Sequence, residues 1–162
     1  MLKRPRRLLR GLLAAGLFFL VAETSLTQAA GVFSVQSGSW SANSTWDSGT
    51  VPYSDSVTVN AGHIVTMDIM TAFSSNTLIM GTLKASRVAS SSWTLYGGDI
   101  TIGPGGALDY GTEADPIPAS IIAHIKLSSG TFAGQYGLIV QNGGNFTVRG
   151  STKTHYSYAT QG

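Results

Sequence analysis

The sequence predicts an all-β chain: a right-handed parallel β-helix-like solenoid of short strands, preceded by a helical signal peptide. Three observations carry that expectation. Strand-like runs recur along the chain and are bounded almost everywhere by Gly, Asn, Asp, Ser or Pro. There is no cysteine among the 162 residues, so disulfides cannot hold a thin core together. The first thirty or so positions have the layout of an export leader.

The leader comes first. Lys3, Arg4, Arg6, Arg7 and Arg10 form a basic start, and Leu12 to Ala22 an apolar stretch, about half the ~20 residues that span a bilayer. Small Thr27 and Ala29 then suit a cleavage site, so residues 1–29 read as a secretory signal peptide and the membrane is met only through it. Residues 30–49 follow as an irregular N-terminal cap, rich in Ser, Asn and Gly, with Trp40 and Trp46 covering the first exposed turn of the solenoid.

Residues 50–150 form the β domain, and 151–162 a tail or truncated linker. Its strand patterns are VTV (57–59), HIVTMD (63–68), TLIM (77–80), TLKA (82–85), WTLY (93–96), DITI (99–102), ALDY (107–110), IIAHIKL (121–127), GLIVQ (137–141) and NFTVRG (145–150). Apolar pairs recur in the later ones: Leu78/Met80, Ile100/Ile102, Ile125/Leu127 and Phe146/Val148. Steps of roughly 20–25 residues predict that these pairs stack as one inward ladder, although a sandwich of short strands would show a similar pattern. GGD (97–99), GPGG (103–106) and NGG (142–144) supply corners with positive φ. GPGG lacks the Gly-Lys-Ser/Thr ending of a phosphate loop, so it too reads as a corner.

The pI of about 9.0 misleads. Beyond Ala29 only Lys84, Arg87, Lys126, Arg149 and Lys153 stand against seven acids, which leaves that part about two charges negative. No basic stretch exists to neutralise phosphates, so nucleic acid is not an expected partner. The absence of cysteine excludes thiol nucleophiles and thiolate metal sites. No HExxH pairing or dense acidic repeat is present, so no metal and no cofactor is expected.

Candidate binding residues are aromatic and acidic. Trp40, Trp46 and Tyr53, with Trp93, Tyr96, Tyr110 and Tyr136, include rings able to stack on sugars; capping and core filling compete for the same side chains. Asp55, His63 and Asp68 lie close in sequence and could form an oriented base. Paired carboxylates among Asp55, Asp68, Asp109, Glu113 and Asp115 would suit glycosidic cleavage, but aspartates in turns commonly bond their own backbone.

Taken in order, TWDSGTVPYSDSVTVNAGHIVTMD (45–68), LIMGTLKAS (78–86), GDITIGPGGALDYGTEADPI (98–117), IKLSSG (125–130) and GLIVQNGGNFTVRGSTKT (137–154) resemble the G8 domain. The likeness covers roughly residues 36–154. It implies an extracellular or surface β-domain, usually one module of a longer protein, with some animal relatives acting in hyaluronan binding and depolymerisation. Further domains are therefore expected, and the chain reads as a fragment.

The expected function is an exported, non-catalytic binding or structural module that recognises a polysaccharide or cell-surface glycan. The alternatives are part of a polysaccharide-degrading, hyaluronidase-like enzyme, and a passive adhesin or spacer.

Overall fold

The computed structural model describes residues 31–128 and 137–152. The signal peptide, Gly130, Tyr136 and the tail from Lys153, which includes His155, lie outside that set. The described chain is all-β. Its strands in order are β1 (Val32–Phe33), β2 (Gly38–Ser39), β3 (Val57–Val59), β4 (Ile64–Met67), β5 (Ala72–Ser74), β6 (Thr77–Ile79), β7 (Thr82–Ala85), β8 (Ser91–Tyr96), β9 (Ile100–Ile102), β10 (Ala107–Tyr110), β11 (Ala123–Ser128), β12 (Leu138–Val140) and β13 (Asn145–Val148).

These strands make three sheets: β1-β3-β6-β9-β12, β2-β4-β7-β10-β13 and β5-β8-β11. Every strand pairing is parallel. From β3 onward the chain visits the first, second and third sheets in turn and then repeats, so each strand from β6 on pairs with its counterpart from the previous visit. Alternation along these short strands sends one set of side chains inward. Val59, Ile79, Ile102 and Val140 stack in the first sheet, and Val65, Leu83, Leu108 and Phe146 in the second. Ala72, Trp93 and Ile125 stack in the third. Buried Leu and Ile side chains at these positions each contribute about 1.5–3 kcal/mol.

The corner between the first and second sheets is a repeated tight turn. His63 N donates to Asn60 O, Gly106 N to Gly103 O and Gly144 N to Gln141 O. The third residue of each turn, Gly62, Gly105 or Gly143, has a φ of 80°, 77° or 85°, which a side chain would strain. Thus GPGG is a corner.

Two expectations need correction. The apolar pairs do not form one ladder. Ile100/Ile102 pair with Thr77/Ile79 in the first sheet, Ile125/Leu127 with Trp93/Leu95 in the third, and Phe146/Val148 with Leu108/Tyr110 in the second. Leu78 points outward opposite Thr101. An apolar pair recurs on every sheet, so spacing alone cannot say which sheet a pair belongs to, and loops of unequal length blur the step. The second correction concerns residues 30–49. That segment is not irregular throughout, because β1 and β2 extend the first and second sheets by one strand each.

Candidate functional site

Three aromatic rings meet on the outer side of the third sheet. Phe73 is the outward residue of β5, between buried Ala72 and Ser74. Tyr96 ends β8, just past inward Leu95. Tyr53 arrives from the loop before β3, and that loop is pinned at several points. Pro52 is buried, Tyr53 N donates to Asp55 Oδ2 (2.9 Å), and Ser75 N donates to the Asp55 carbonyl (2.8 Å). Ser54, between them, sits at φ 61°, a left-handed conformation uncommon for serine. The result lays Tyr53 edge-on to Phe73, with centroids 5.1 Å apart at 72°. Phe73 in turn stacks on Tyr96 at 5.6 Å and 24°. Tyr53 is 70% exposed and Tyr96 48%, so the strip is open to solvent.

The other sequence-predicted residues are placed differently. Trp40 and Trp46 are buried, and they close one end of the core. Their rings meet edge-to-face at 4.9 Å, Trp46 Nε1 donates to the Trp40 carbonyl (2.9 Å), and Trp40 lies 6.0 Å from Trp93. Trp93 is anchored from inside by donating to Ser74 Oγ (2.8 Å).

Asp55, His63 and Asp68 do not bond one another. Asp55 holds the Tyr53 turn. Asp68 accepts from Ser41 N (3.1 Å) and Ser41 Oγ (2.6 Å). His63 closes a corner just before β4, with Nδ1 2.9 Å from Ser34 Oγ. That oxygen also accepts from Asn60 N (2.9 Å). Ser34 is fully buried, so the contact ties the His63 corner to the chain after β1 from inside.

The remaining candidate acids, Asp109, Glu113 and Asp115, are paired. Arg87 donates to Asp109 (2.7 Å), contacts Asp115 (3.2 Å) and donates to the Ala85 carbonyl, clamping the loop after β10 across β7. Lys84 and Asp115 are 3.8 Å apart, and Arg149 pairs with exposed Glu113 at 3.6 Å. Among the described residues no group of acids and histidines is arranged to hold a metal ion.

A cavity of about 330 Å³ lies at the far end of the sheets, lined by Tyr110, Ile117, Ile121, Ile122, Val148 and Ser151, among others. Burial pushes the Tyr110 phenol well above the ordinary tyrosine range.

A family model for the G8 domain matches residues 45–160. The chain belongs to the G8 domain family. The match spans all three rings of the aromatic strip, whereas β1, β2 and Trp40 precede it. G8 is an extracellular-type domain family, and among the described residues no helix is long and apolar enough to cross a membrane. No curated protein and no solved structure matched this G8 chain.

Sequence reasoning missed β5 and, with it, Phe73, the central ring of the strip. The signal was present but short: Ala72-Phe73-Ser74 alternates over only three residues.

Proposed function

We propose that this G8 domain is an exported, right-handed β-solenoid that binds glycan without cleaving it, through Tyr53, Phe73 and Tyr96. The solenoid reading rests on the fixed succession of three parallel sheets, and its hand on the strong preference of parallel crossovers for right-handed connection. Export rests on the basic start and apolar run of residues 3–22.

One observation carries the binding reading. Three touching aromatic rings lie on an outer face, and two of them are broadly exposed. Such rings bury the apolar faces of sugars, and tyrosine adds a hydroxyl at the rim. The non-catalytic reading is supported by the candidate acids, which are engaged by a backbone turn, Ser41, Arg87 and Arg149. Lys84, Arg87 and Arg149 each sit against a carboxylate and only Lys126 has no such partner among the described residues, which favours a neutral glycan over a polyanion.

The test is affinity electrophoresis against a panel of neutral and acidic polysaccharides. Retention by a neutral glycan is expected, with Tyr53→Ala and Tyr96→Ala each weakening it about tenfold. Failure of every glycan to retard the folded protein, or retardation indifferent to both substitutions, would overturn the reading. Shortening of the polymer would support the enzyme instead.

A further inference from the structure

The aromatic strip ends at the corner between the third and first sheets, and a groove begins on the corner's other side. From Tyr96 the chain turns through Gly97, Gly98 and Asp99 into β9. One layer earlier it runs from Phe73 through Ser74, Ser75 and Asn76 into β6. Beyond the corner, Asn76, Thr77, Leu78, Asp99 and Thr101 line a groove of about 280 Å³. Leu78 and Thr101 are paired outward residues of β6 and β9, so the groove lies on the outer face of the first sheet.

Strip and groove are near neighbours. Asp99 is three positions beyond Tyr96, so at most about 10 Å separates their Cα atoms. Nothing tall stands between them. Gly97 and Gly98 carry no side chain, and a Cβ on Gly98 would run into the Asn76 amide of the layer beneath. In that layer Ser74 is buried, and Ser75 lies against Ser56 with their hydroxyl oxygens 3.2 Å apart.

The polar groups of the groove are held in place. Asp99 N donates to Asn76 Oδ1 (3.1 Å), and Gly137 N donates to Asp99 Oδ1 (2.7 Å). A carboxylate has about four lone-pair sites, so the Gly137 bond orients the group and leaves it able to accept more. Thr101 adds a half-buried hydroxyl, and Leu78, 37% exposed, an apolar wall. A fixed acceptor, a hydroxyl and an apolar wall match a sugar ring, which donates from its rim and is apolar on its faces. The same carboxylate repels an anionic chain.

We propose that the groove at Asn76 and Asp99 continues the aromatic strip, so that one neutral glycan chain crosses the corner. Its rings lie on Tyr53, Phe73 and Tyr96, and its next hydroxyls donate to the Asp99 carboxylate. Asp99 is then a specificity residue, bonding hydroxyls and turning acidic chains away. This rests on the glycan-binding reading of the strip.

The test is affinity electrophoresis of the full chain with matched polymers: hydroxyethyl cellulose, dextran and galactomannan, each beside its carboxymethylated counterpart. Asp99→Asn keeps an acceptor for Gly137 N and removes the charge. It is expected to weaken retention by the neutral polymer about fivefold and to narrow the preference for neutral over carboxymethylated polymer. A purely structural role would not narrow that preference. Leu78→Ala, which leaves the Gly137 bond alone, is expected to weaken neutral retention about threefold. If Tyr53→Ala weakens retention while Asp99→Asn and Leu78→Ala do not, the groove is no part of the site and the strip stands alone. An unchanged preference in Asp99→Asn would overturn its role in specificity. Retention by none of these polymers, or retention indifferent to Tyr53→Ala, would sink the strip reading and this inference together.

Discussion

The two ends of the sheets are built from the same ladders and finished differently. At the β1–β2 end, Trp40 is fully enclosed and meets both Trp46 and Trp93, so apolar side chains close the interior. At the β12–β13 end, Val148 is 68% exposed, although it stacks directly on buried Tyr110. Register and residue type barely change between them. What changes, among the described residues, is whether something lies on top. In a stack where each layer touches only its neighbours, an end is worth what covers it, and stability varies along the axis.

The largest expected effect is at the closed end. Trp40→Ala removes the ring that joins Trp46 to Trp93 and should cost about 3–5 kcal/mol, read from urea unfolding. A loss under about 1 kcal/mol would mean that the indoles do not close the core, and the contrast between the ends would fail. A sharper comparison uses one ladder at two heights. Val59 is fully enclosed and Val140 is not, yet both belong to the Val59–Ile79–Ile102–Val140 stack. Val59→Ala should cost about 2 kcal/mol and Val140→Ala under about 0.5 kcal/mol; equal losses would mean that the first sheet is covered at both ends.

The smallest effect probes the layer just inside the open end. Burial raises the Tyr110 phenol, so the folded chain holds that proton where the unfolded chain releases it. The stabilisation is complete below about pH 10, the unfolded value, and is lost as pH climbs from there toward the folded value. Tyr110→Phe should remove this alkaline loss, changing the stability difference between variant and parent by about 1 kcal/mol between roughly pH 8 and pH 11. An unchanged difference would mean that water reaches the phenol through the open end.

Much of the fold was legible because its local chemistry is explicit. Each tight corner carries a glycine at the position that needs positive φ, and most strands alternate over three or more residues. The register was not legible. Ile100, Ile125 and Phe146 look alike in sequence, yet they occupy three different sheets. A twelve-residue loop, residues 111–122, separates β10 from β11, whereas four residues separate β4 from β5.

The candidate site was legible only in part. Tyr53 and Tyr96 were among the seven candidate rings. Phe73 was not, because an outward aromatic and an inward one differ only in phase, and β5 is too short to set that phase from sequence. Trp40 and Trp46 carry the same ambiguity and resolve to the interior. Asp55, His63 and Asp68 are near neighbours along the chain, but each is engaged by a different partner: the Tyr53 turn, Ser34 and Ser41 respectively.

The parallel ladders have a mechanical consequence. β1 and β2 lie at one extreme of their sheets and β12 and β13 at the other, so tension between these extremes runs along the direction of the interstrand hydrogen bonds. Bonds loaded that way break a layer at a time, not all together. A pulled molecule would lengthen in small steps that start from its less protected end, yielding as a graded tether where a fold loaded in shear would hold and then snap.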